Sequence, residues 1–236
     1  MKFKTTWVKS GVVLGITSVA LLSSIYFTSN TFAEKSKLET YDLTQTEFVQ
    51  PKSKIEYIRF DHNDGTYDEH WRDVENKQER HDKYTKDGEL INRIIVLDSG
   101  KRVISIGNEG GELEAYTWEL PSKDAAENNN LLQISLIKET KDKLKDKKWK
   151  LNKSAKLNSN VSVDEIESLN DDTKEIVRLD SETGIPLERE IYEIKNGKEE
   201  KVLTETYQFI DDSSDLFDVD IKAKEVPADD IVVEKE

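Results

Sequence analysis

Hydrophobic and polar residues alternate in short runs between Ser53 and Leu120. Alternation of period two is typical of β-strands with one buried and one exposed face. Turn residues such as Asn63-Asp64-Gly65 and Asp87-Gly88 separate the runs, and links this short allow only neighbouring strands to pair. The pattern therefore predicts an antiparallel meander of six strands. They are a strand through Ile55 and Phe60, then 66–75, 78–86, 90–97, 102–106 and 112–120.

In the second half of the chain the strand pattern is interrupted by polar and helix-spaced residues before strands resume. Residues 124–130 are polar and predict a linker or a helix cap. Apolar residues close to helical spacing then predict one amphipathic helix that runs to residue 148 and covers part of the sheet. These apolar residues are Leu132, Leu136, Ile137 and Leu144. Further strands are predicted at 149–157, 174–179, 187–194 and 201–210, with Asn196-Gly197 as the hairpin turn between the last two. Residues 157–173 are left without an assigned element.

Together these elements predict an α+β fold. It consists of a single strongly curved antiparallel sheet, half-barrel-like, with covering helices and a preceding N-terminal hydrophobic helix. We expect a signal peptide or membrane anchor in residues 1–33 and a linker or short helix in 34–52. The curved-sheet domain would occupy 53–210, and an acidic C-terminal tail 211–236, with ten acids against three lysines.

The first 33 residues predict export. Lys2, Lys4 and Lys9 give a positive start, residues 11–27 carry no charge, and the small residues of Thr31-Phe32-Ala33 suit a cleavage site. Two outcomes stay open: cleavage after Ala33, which the site favours, or an uncleaved anchor formed by residues 11–27. In both cases the chain from Glu34 onward is predicted to be extracytoplasmic, either secreted or anchored to the cell membrane.

Composition excludes several classes of function. The chain has no cysteine, which excludes disulfide scaffolds, thiolate zinc sites, thiol nucleophiles and a lipid-modified cysteine. A net charge of −14 argues against a nucleic-acid partner, because phosphate backbones attract basic proteins. Without residues 1–33 the chain keeps 32 basic and 49 acidic residues, a net charge of −17. Export, no lipid-modified cysteine and many Lys, Asn and Glu residues suggest a Gram-positive cell.

One segment resembles a known family. It runs from Val177 through Asp180-Ser181-Glu182-Thr183-Gly184-Ile185-Pro186 into the 187–194 strand, with Tyr207-Gln208-Phe209 and Phe217 further on. This order is similar to the LolA-like lipoprotein carriers and the related sigma-factor regulatory proteins of the RseB/MucB kind. In those families a strand ending in D-x-x-T-G-x-P passes into a hairpin. The resemblance spans about residues 40 to 220 in strand and turn order. It implies a curved sheet with helices in its mouth that binds an acyl chain or a lipoprotein.

The sequence offers no metal, cofactor or catalytic site. Asp61 cannot start an EF-hand loop, because Gly65 stands at position five and Arg72 at position twelve. The histidines, His62, His70 and His81, are interpreted as exposed strand residues. No nucleophile elbow, zinc-protease motif or phosphate-binding loop is present. We therefore predict neither catalytic nor metal-binding residues, and no cofactor.

Two sets of residues are candidates for binding. The first set is aromatic and could line an acyl-binding concavity, or could equally form ordinary sheet core. Its members are Tyr57, Tyr67, Trp71, Tyr116, Trp118 and Trp149. The second set is basic and could contact anionic head groups, wall polymers or the acidic tail, or could be a solvated helix face. Its members are Lys141, Lys143, Lys145, Lys147, Lys148 and Lys150.

These features predict an exported, non-enzymatic binding protein. Its ligand would be an acyl chain, a lipid or a lipoprotein held in the concave face of the curved sheet, with the membrane surface as a further contact. The alternative is an extracytoplasmic regulatory protein that docks on a membrane protein such as an anti-sigma factor. A continuous apolar cavity would favour the carrier, and a filled core with a binding exterior would favour the regulator. A hydrolase would need converging carboxylates in a deep cleft.

Overall fold

A computed structural model describes residues 40–45, 48, 51, 54–109, 112–157, 161–170, 172–211 and 215–227. Within these ranges the chain divides into two compact units. Unit 1 contains residues 68–133 and 215–227, and unit 2 contains residues 40–67 and 134–211. The predicted N-terminal export segment lies outside the described residues. No helix among the described residues is long and apolar enough to cross a membrane.

Strands dominate both units, and the described residues contain thirteen of them with two helices. The strands are β1 Thr40–Tyr41, β2 Lys54–His62, β3 Tyr67–Asp73, β4 Gln78–Tyr84, β5 Leu90–Leu97, β6 Arg102–Glu109, β7 Glu112–Glu119, β8 Trp149–Leu157, β9 Val161–Leu169, β10 Thr173–Asp180, β11 Pro186–Lys195, β12 Lys198–Asp211 and β13 Lys224–Glu225. The helices are α1 Ser122–Leu132 and α2 Leu136–Leu144.

Unit 2 is an antiparallel sheet with the strand order β1-β8-β9-β10-β11-β12-β2. Its last pair joins distant parts of the sequence, since Lys54 of β2 lies opposite Asp211 of β12. One face of this sheet is covered by α2, and we call it the helix face. The opposite face carries Arg178 and its carboxylate partners, and we call it the charged face.

A buried carboxylate fixes α2 on the helix face. Glu56 of β2 is fully buried and accepts hydrogen bonds from the Ser135 hydroxyl and, at 2.7 Å, from the Leu136 amide. These donors stand at the start of α2, where backbone amides lack helical partners and favour negative charge. Ile137 of α2 then packs with Ile58 and Tyr207 of the sheet. The helix is thus held at one end by charge and along its length by apolar contact.

Unit 1 has the strand order β3-β4-β5-β6-β7-β13, with β13 parallel to β7 and the pairs from β4 to β7 antiparallel. Neighbouring residues of its central strands are buried together, such as Ile94 with Ile95 and Val103 with Ile104. Because successive side chains point to opposite faces of a strand, both faces of this sheet are covered. Helix α1 packs on the turn at Gly100, where a Cβ would lie 2.8 Å from the Asn129 nitrogen.

The structure confirms an α+β fold dominated by an antiparallel meander. The strand at 90–97 has the predicted bounds, and Asn196-Gly197 forms the predicted turn with φ values of 53° and 71°. The parallel pair of β13 and β7 makes the strand set mixed, where an antiparallel sheet was predicted.

Two further predictions about the second half of the chain were wrong or incomplete. The single predicted helix is wrong: a break at Gln133–Ser135 separates α1 from α2. Residues 161–169, which received no assignment, form β9. Residues 40–45 of the predicted linker contribute β1 and a 3-10 turn, Leu43–Gln45.

Candidate functional site

The three tryptophans of the predicted aromatic lining are core residues. Trp71, Trp118 and Trp149 are each at most 8% exposed. Trp118 packs with Ile94 and Val103 in unit 1. Trp149 packs in unit 2 in a separate apolar cluster, and its indole nitrogen donates to the Leu144 carbonyl at 2.6 Å. This cluster contains Leu43, Leu144, Ile166, Val177 and Leu179. Buried indoles with a satisfied N–H are typical of a filled core.

The three tyrosines of the set are half-buried, and each lies in a different setting. Tyr57 is on β2, opposite Gln208. The Arg59 guanidinium lies over the Tyr67 ring at 3.9 Å from its centroid. Tyr116 is in unit 1, on the same face of β7 as Trp118. The aromatic set is therefore divided between two units, and within each unit its indoles are packed against other core side chains.

Three of the six lysines of the predicted basic patch are neutralised by neighbouring carboxylates. Lys143 pairs with Glu139 at 2.9 Å, and Lys145 pairs with Asp142 at 2.6 Å, both within and just after α2. Lys147 pairs with Glu175 of β10. Two other members of the patch, Lys148 and Lys150, are exposed.

Lys141 does not belong to an exposed basic surface, which corrects the prediction. Its side chain is buried, and its Nζ donates to the Thr183 carbonyl at 2.9 Å. Burial, together with the nearby Lys145, lowers the pKa of Lys141. The residue thus ties α2 to the D-x-x-T-G-x-P turn rather than presenting a charge to a ligand.

A row of alternating charges crosses the charged face of unit 2. Arg178 of β10 contacts Glu165 of β9 at 3.1 Å and Glu188 of β11. Lys153 of β8 reaches Glu165 from the other side, at 3.2 Å. On the next strands, Thr206 of β12 lies opposite Glu188, and Arg59 of β2 lies opposite Thr206, so the row continues to β2. The row therefore spans six neighbouring strands with the charge order plus, minus, plus, minus, neutral, plus. Its members, the charged row, are Lys153, Glu165, Arg178, Glu188, Thr206 and Arg59.

A second set of charges is buried on the helix face of the same strands. Arg189 of β11 lies between two carboxylates, Glu175 at 2.8 Å and Glu205 at 3.2 Å. Tyr207 donates its hydroxyl hydrogen to Glu205. Burial opposes ionisation of Glu175, but Arg189 and Lys147 outweigh it and lower the pKa of Glu175. Every charged group of this network has a partner of opposite sign, which is what burial requires.

Two histidines of unit 1 lie together, and the prediction of exposed histidines was wrong for both. The ring centroids of His70 and His81 are 5.5 Å apart. Nε2 of His70 lies 2.8 Å from Oε1 of Glu79, at an angle that misses a hydrogen bond, and Nε2 of His81 lies 3.6 Å from Oδ1 of Asp68. The side chains of His70 and Glu79 are only 11% and 12% exposed.

Electrostatics around His70 favours a neutral ring beside an ionised acid. Burial lowers the pKa of His70 more than Glu79 raises it. Burial also opposes ionisation of Glu79, but His70 and Arg72 together lower the pKa of that carboxyl to about 2. The described residues nevertheless contain no group of three or more His, Asp or Glu side chains arranged to hold a metal ion.

Sequence reasoning missed the charged row and the buried network, although it placed several of their residues in strands. Glu188 and Arg189 fall in the predicted strand 187–194, and Arg178 falls in 174–179. The alternation of Glu188, Arg189 and Glu190 already indicates a charged residue on each face. What the alternation does not give is the register that brings Arg178 opposite Glu165 and Glu188.

Comparison with known proteins identifies no family. No family model matches the sequence, and no curated protein matches it. Among solved structures, an uncharacterized conserved protein from Thermus thermophilus is 8% identical with a TM-score of 0.38, covering 74% of this chain and 90% of its own. PNGF-II is 9% identical with a TM-score of 0.29, covering 75% of this chain and 32% of its own. At such TM-scores neither likeness carries an argument about fold or function.

Proposed function

We propose that the protein is an exported, non-enzymatic binding protein whose partner, a membrane protein, docks on the charged face of unit 2. The charged row carries this proposal. Complementary charge patterns contribute specificity and association rate, and a row that spans six strands suits a partner with the opposite alternation. Of the two functions expected from the sequence, this is the docking regulator rather than the acyl carrier.

The packing of the aromatic residues supports this choice. A carrier needs apolar side chains that line an open space, whereas the indoles of Trp118 and Trp149 are surrounded by other core side chains. On the charged face, the ammonium groups of Lys174 and Lys201 lie 5.7 and 5.8 Å from the centroid of the Tyr192 ring. Aromatic and charged side chains presented together are common at protein–protein interfaces.

The proposal includes the strong curvature that the sequence predicts. Register shifts occur between Leu151 and Lys153, between Arg178 and Leu179, and between Ile191 and Tyr192. A β-bulge bends its strand and increases the local twist, so three shifts within unit 2 favour a curved sheet. A curved charged face would in turn select partners by shape as well as by charge.

Site-specific crosslinking tests the docking site. The full-length chain is produced in a Gram-positive host with a photoreactive phenylalanine at Tyr192, and in a control chain with the same residue at Ile91, an exposed position of unit 1. We expect a discrete adduct with a membrane protein from position 192, absent from the control. Arg178→Glu, which reverses the centre of the charged row, should reduce that adduct about ten-fold, as expected for the loss of one strong charged contact. Equal adducts from both positions would contradict the proposal.

An acyl ligand is a second candidate because of one observation in unit 2. Ile58 and Tyr207 of the sheet form a buried apolar cluster with Leu136 and Ile137 of α2. The apolar side chains packed against this cluster are only partly buried: Phe48, Phe60, Ile185 and Phe209. An acyl chain beneath α2 would gain about 0.8 kcal/mol for each CH₂ group that it buries there. Organic extraction of the secreted protein and lipid mass spectrometry test this candidate. A stoichiometric lipid would establish the carrier, and an empty protein would favour the docking protein.

A further inference from the structure

The first described strand lies beside the most basic part of the chain. Thr40 of β1 pairs with Lys150, and Tyr41 pairs with Trp149, at the start of β8. Lys148 and Lys150 are both exposed, and neither forms an ion pair with a described residue. We call Lys148 and Lys150 the basic edge. The structure therefore joins the N-terminal part of the chain directly to two exposed positive charges.

The chain length before β1 limits how far this edge can be from the membrane. Twelve residues separate Phe27, the end of the uncharged segment, from Thr40. Even fully extended, this stretch spans at most roughly 45 Å. While the uncharged segment is in a bilayer, before cleavage or as an anchor, β1 therefore stays within roughly 45 Å of the membrane surface, which allows the basic edge to reach it.

We propose that the basic edge faces and contacts an anionic lipid bilayer. The inference rests on the proposed export, and it adds the orientation of unit 2 at the membrane. Exposed lysines near the surface of an anionic leaflet are attracted to it, and they act within the Debye length of about 8 Å at physiological salt. Lys148 and Lys150 are suited to this because neither forms an ion pair with a described carboxylate. Glu167, which lies opposite Lys150 in the sheet register, pairs instead with Lys174 at 3.8 Å.

The acidity of the whole chain does not prevent this contact. The chain after Ala33 has a net charge of −17, which would repel an anionic surface if all charges acted together. Charges much farther than a Debye length from the surface are screened, so the residues at the contact decide its sign. The tether removes the need for strong free binding, because it holds the basic edge at a high local concentration.

Lysine footprinting of the full-length chain tests the orientation. The chain, with residues 1–33 retained, is synthesised in the presence of vesicles of phosphatidylcholine alone or mixed with phosphatidylglycerol, and recovered by flotation. Acetylation of each lysine is then measured by mass spectrometry. We expect Lys148 and Lys150 to react about five-fold more slowly in the anionic vesicles, with Lys86 and Lys222 unchanged as exposed controls. High salt should abolish the difference.

Several results would overturn the inference. Equal acetylation of the basic edge in the two vesicle types contradicts it, while a chain that floats still agrees with the proposed export. A chain that does not float contradicts both the membrane segment and the inference. Slower acetylation only on addition of an anionic wall polymer would assign the edge to that polymer instead.

A charge-reversal pair gives a second measurement. Lys148→Glu with Lys150→Glu should lower the affinity of the secreted protein for phosphatidylglycerol vesicles about 25-fold or more. This estimate takes about five-fold for each lysine that is lost. Lys86→Glu with Lys222→Glu makes the same change in net charge and should leave the affinity within about two-fold, because neither residue belongs to the edge. Equal losses in the two variants would show a net-charge effect and overturn the inference. All four positions are exposed, so both variants are expected to fold.

Discussion

Unit 1 and unit 2 are both built from antiparallel strands, but they bury different side chains. The central strands of unit 1 bury aliphatic residues on both faces, as Ile94 and Ile95 show. Unit 2 buries apolar residues and the Arg189 network on one face, and carries the charged row on the other. Unit 1 buries paired charges as well, since Asp82 is fully buried against Arg80 and Arg93. Both units therefore depend on close packing and on charge pairing in their interiors, and they differ in that one face of the unit 2 sheet carries the charged row.

The largest expected effect is in the buried network of unit 2. Arg189→Met would leave Glu175 and Glu205 close together without their shared cation, and breaking a buried pair in this way costs about 3–5 kcal/mol. Urea unfolding followed by tryptophan fluorescence measures the loss. Adding Glu175→Gln and Glu205→Gln to the variant should recover much of it. A loss below about 1 kcal/mol would mean that unit 2 does not depend on this network.

A smaller effect is expected where α1 packs on unit 1. Gly100 has φ of +91°, and its Cβ would lie 2.8 Å from the Asn129 nitrogen. Gly100→Ala combines backbone strain of about 1–3 kcal/mol with a clash against backbone. Gly197→Ala is the matched control, because φ is +71° but a Cβ there would meet nothing within 4 Å. Thermal unfolding should show a larger loss at Gly100, and equal losses would contradict the close packing of α1.

Acid should destabilise unit 1 through His70. Its pKa is lowered in the folded protein from 6.5, so the folded state favours the neutral ring. The stability associated with this neutral ring is fully present above about pH 6.5. It is lost as the pH falls below that value, because the unfolded chain then binds the proton more readily than the folded chain. Glu79 adds a second loss between pH 4.5 and about 2, the unfolded and folded values of its pKa. His70→Gln should remove the loss that begins below about pH 6.5, and it should reduce the one below pH 4.5 without abolishing it, because Arg72 still lowers the pKa of Glu79. Urea unfolding at each pH measures both losses.

The smallest effect is expected on the charged face. Arg178→Gln removes the contacts with Glu165 and Glu188. The side chains of Arg178 and Glu188 are 32% and 34% exposed, and ion pairs open to solvent contribute about 0.2–1 kcal/mol. High salt should reduce the difference between this variant and the original chain. The contrast with Arg189→Met then measures how much burial changes the value of an arginine on the same sheet. A loss as large as that of Arg189→Met would contradict the distinction between the two faces.

Local sequence patterns were sufficient to predict much of the fold. The strand at 90–97 is rich in apolar residues, and Asn196-Gly197 adopts the positive φ angles that its hairpin requires. The missed strand, β9, has charged residues at Asp164, Glu165 and Glu167, so that its alternation is weak. Those charges are explained by partners on β1, β8 and β10, which the sequence of β9 alone does not reveal.

The candidate site was much less predictable than the fold. Whether Trp149 lines a cavity or fills a core depends on Leu43 and Leu144, which cover it from separate elements. The charged row depends on register, and a shift of one residue would move Arg178 to the other face. The predicted basic patch had the right composition, but folding gave three of its six lysines carboxylate partners, buried Lys141 and left Lys148 and Lys150 exposed.

The pairing of β2 with β12 has a consequence for the order of events during synthesis. Lys54 lies opposite Asp211, 157 residues further along the chain, and residues 68–133 of unit 1 are inserted in the sequence between the two parts of unit 2. Contacts between residues so distant in sequence form slowly, because a long loop must close first. Unit 2 therefore cannot complete its sheet until residue 211 has left the ribosome. A nascent chain with this topology stays unfolded for longer, which would suit the proposed export if the chain crosses the membrane unfolded.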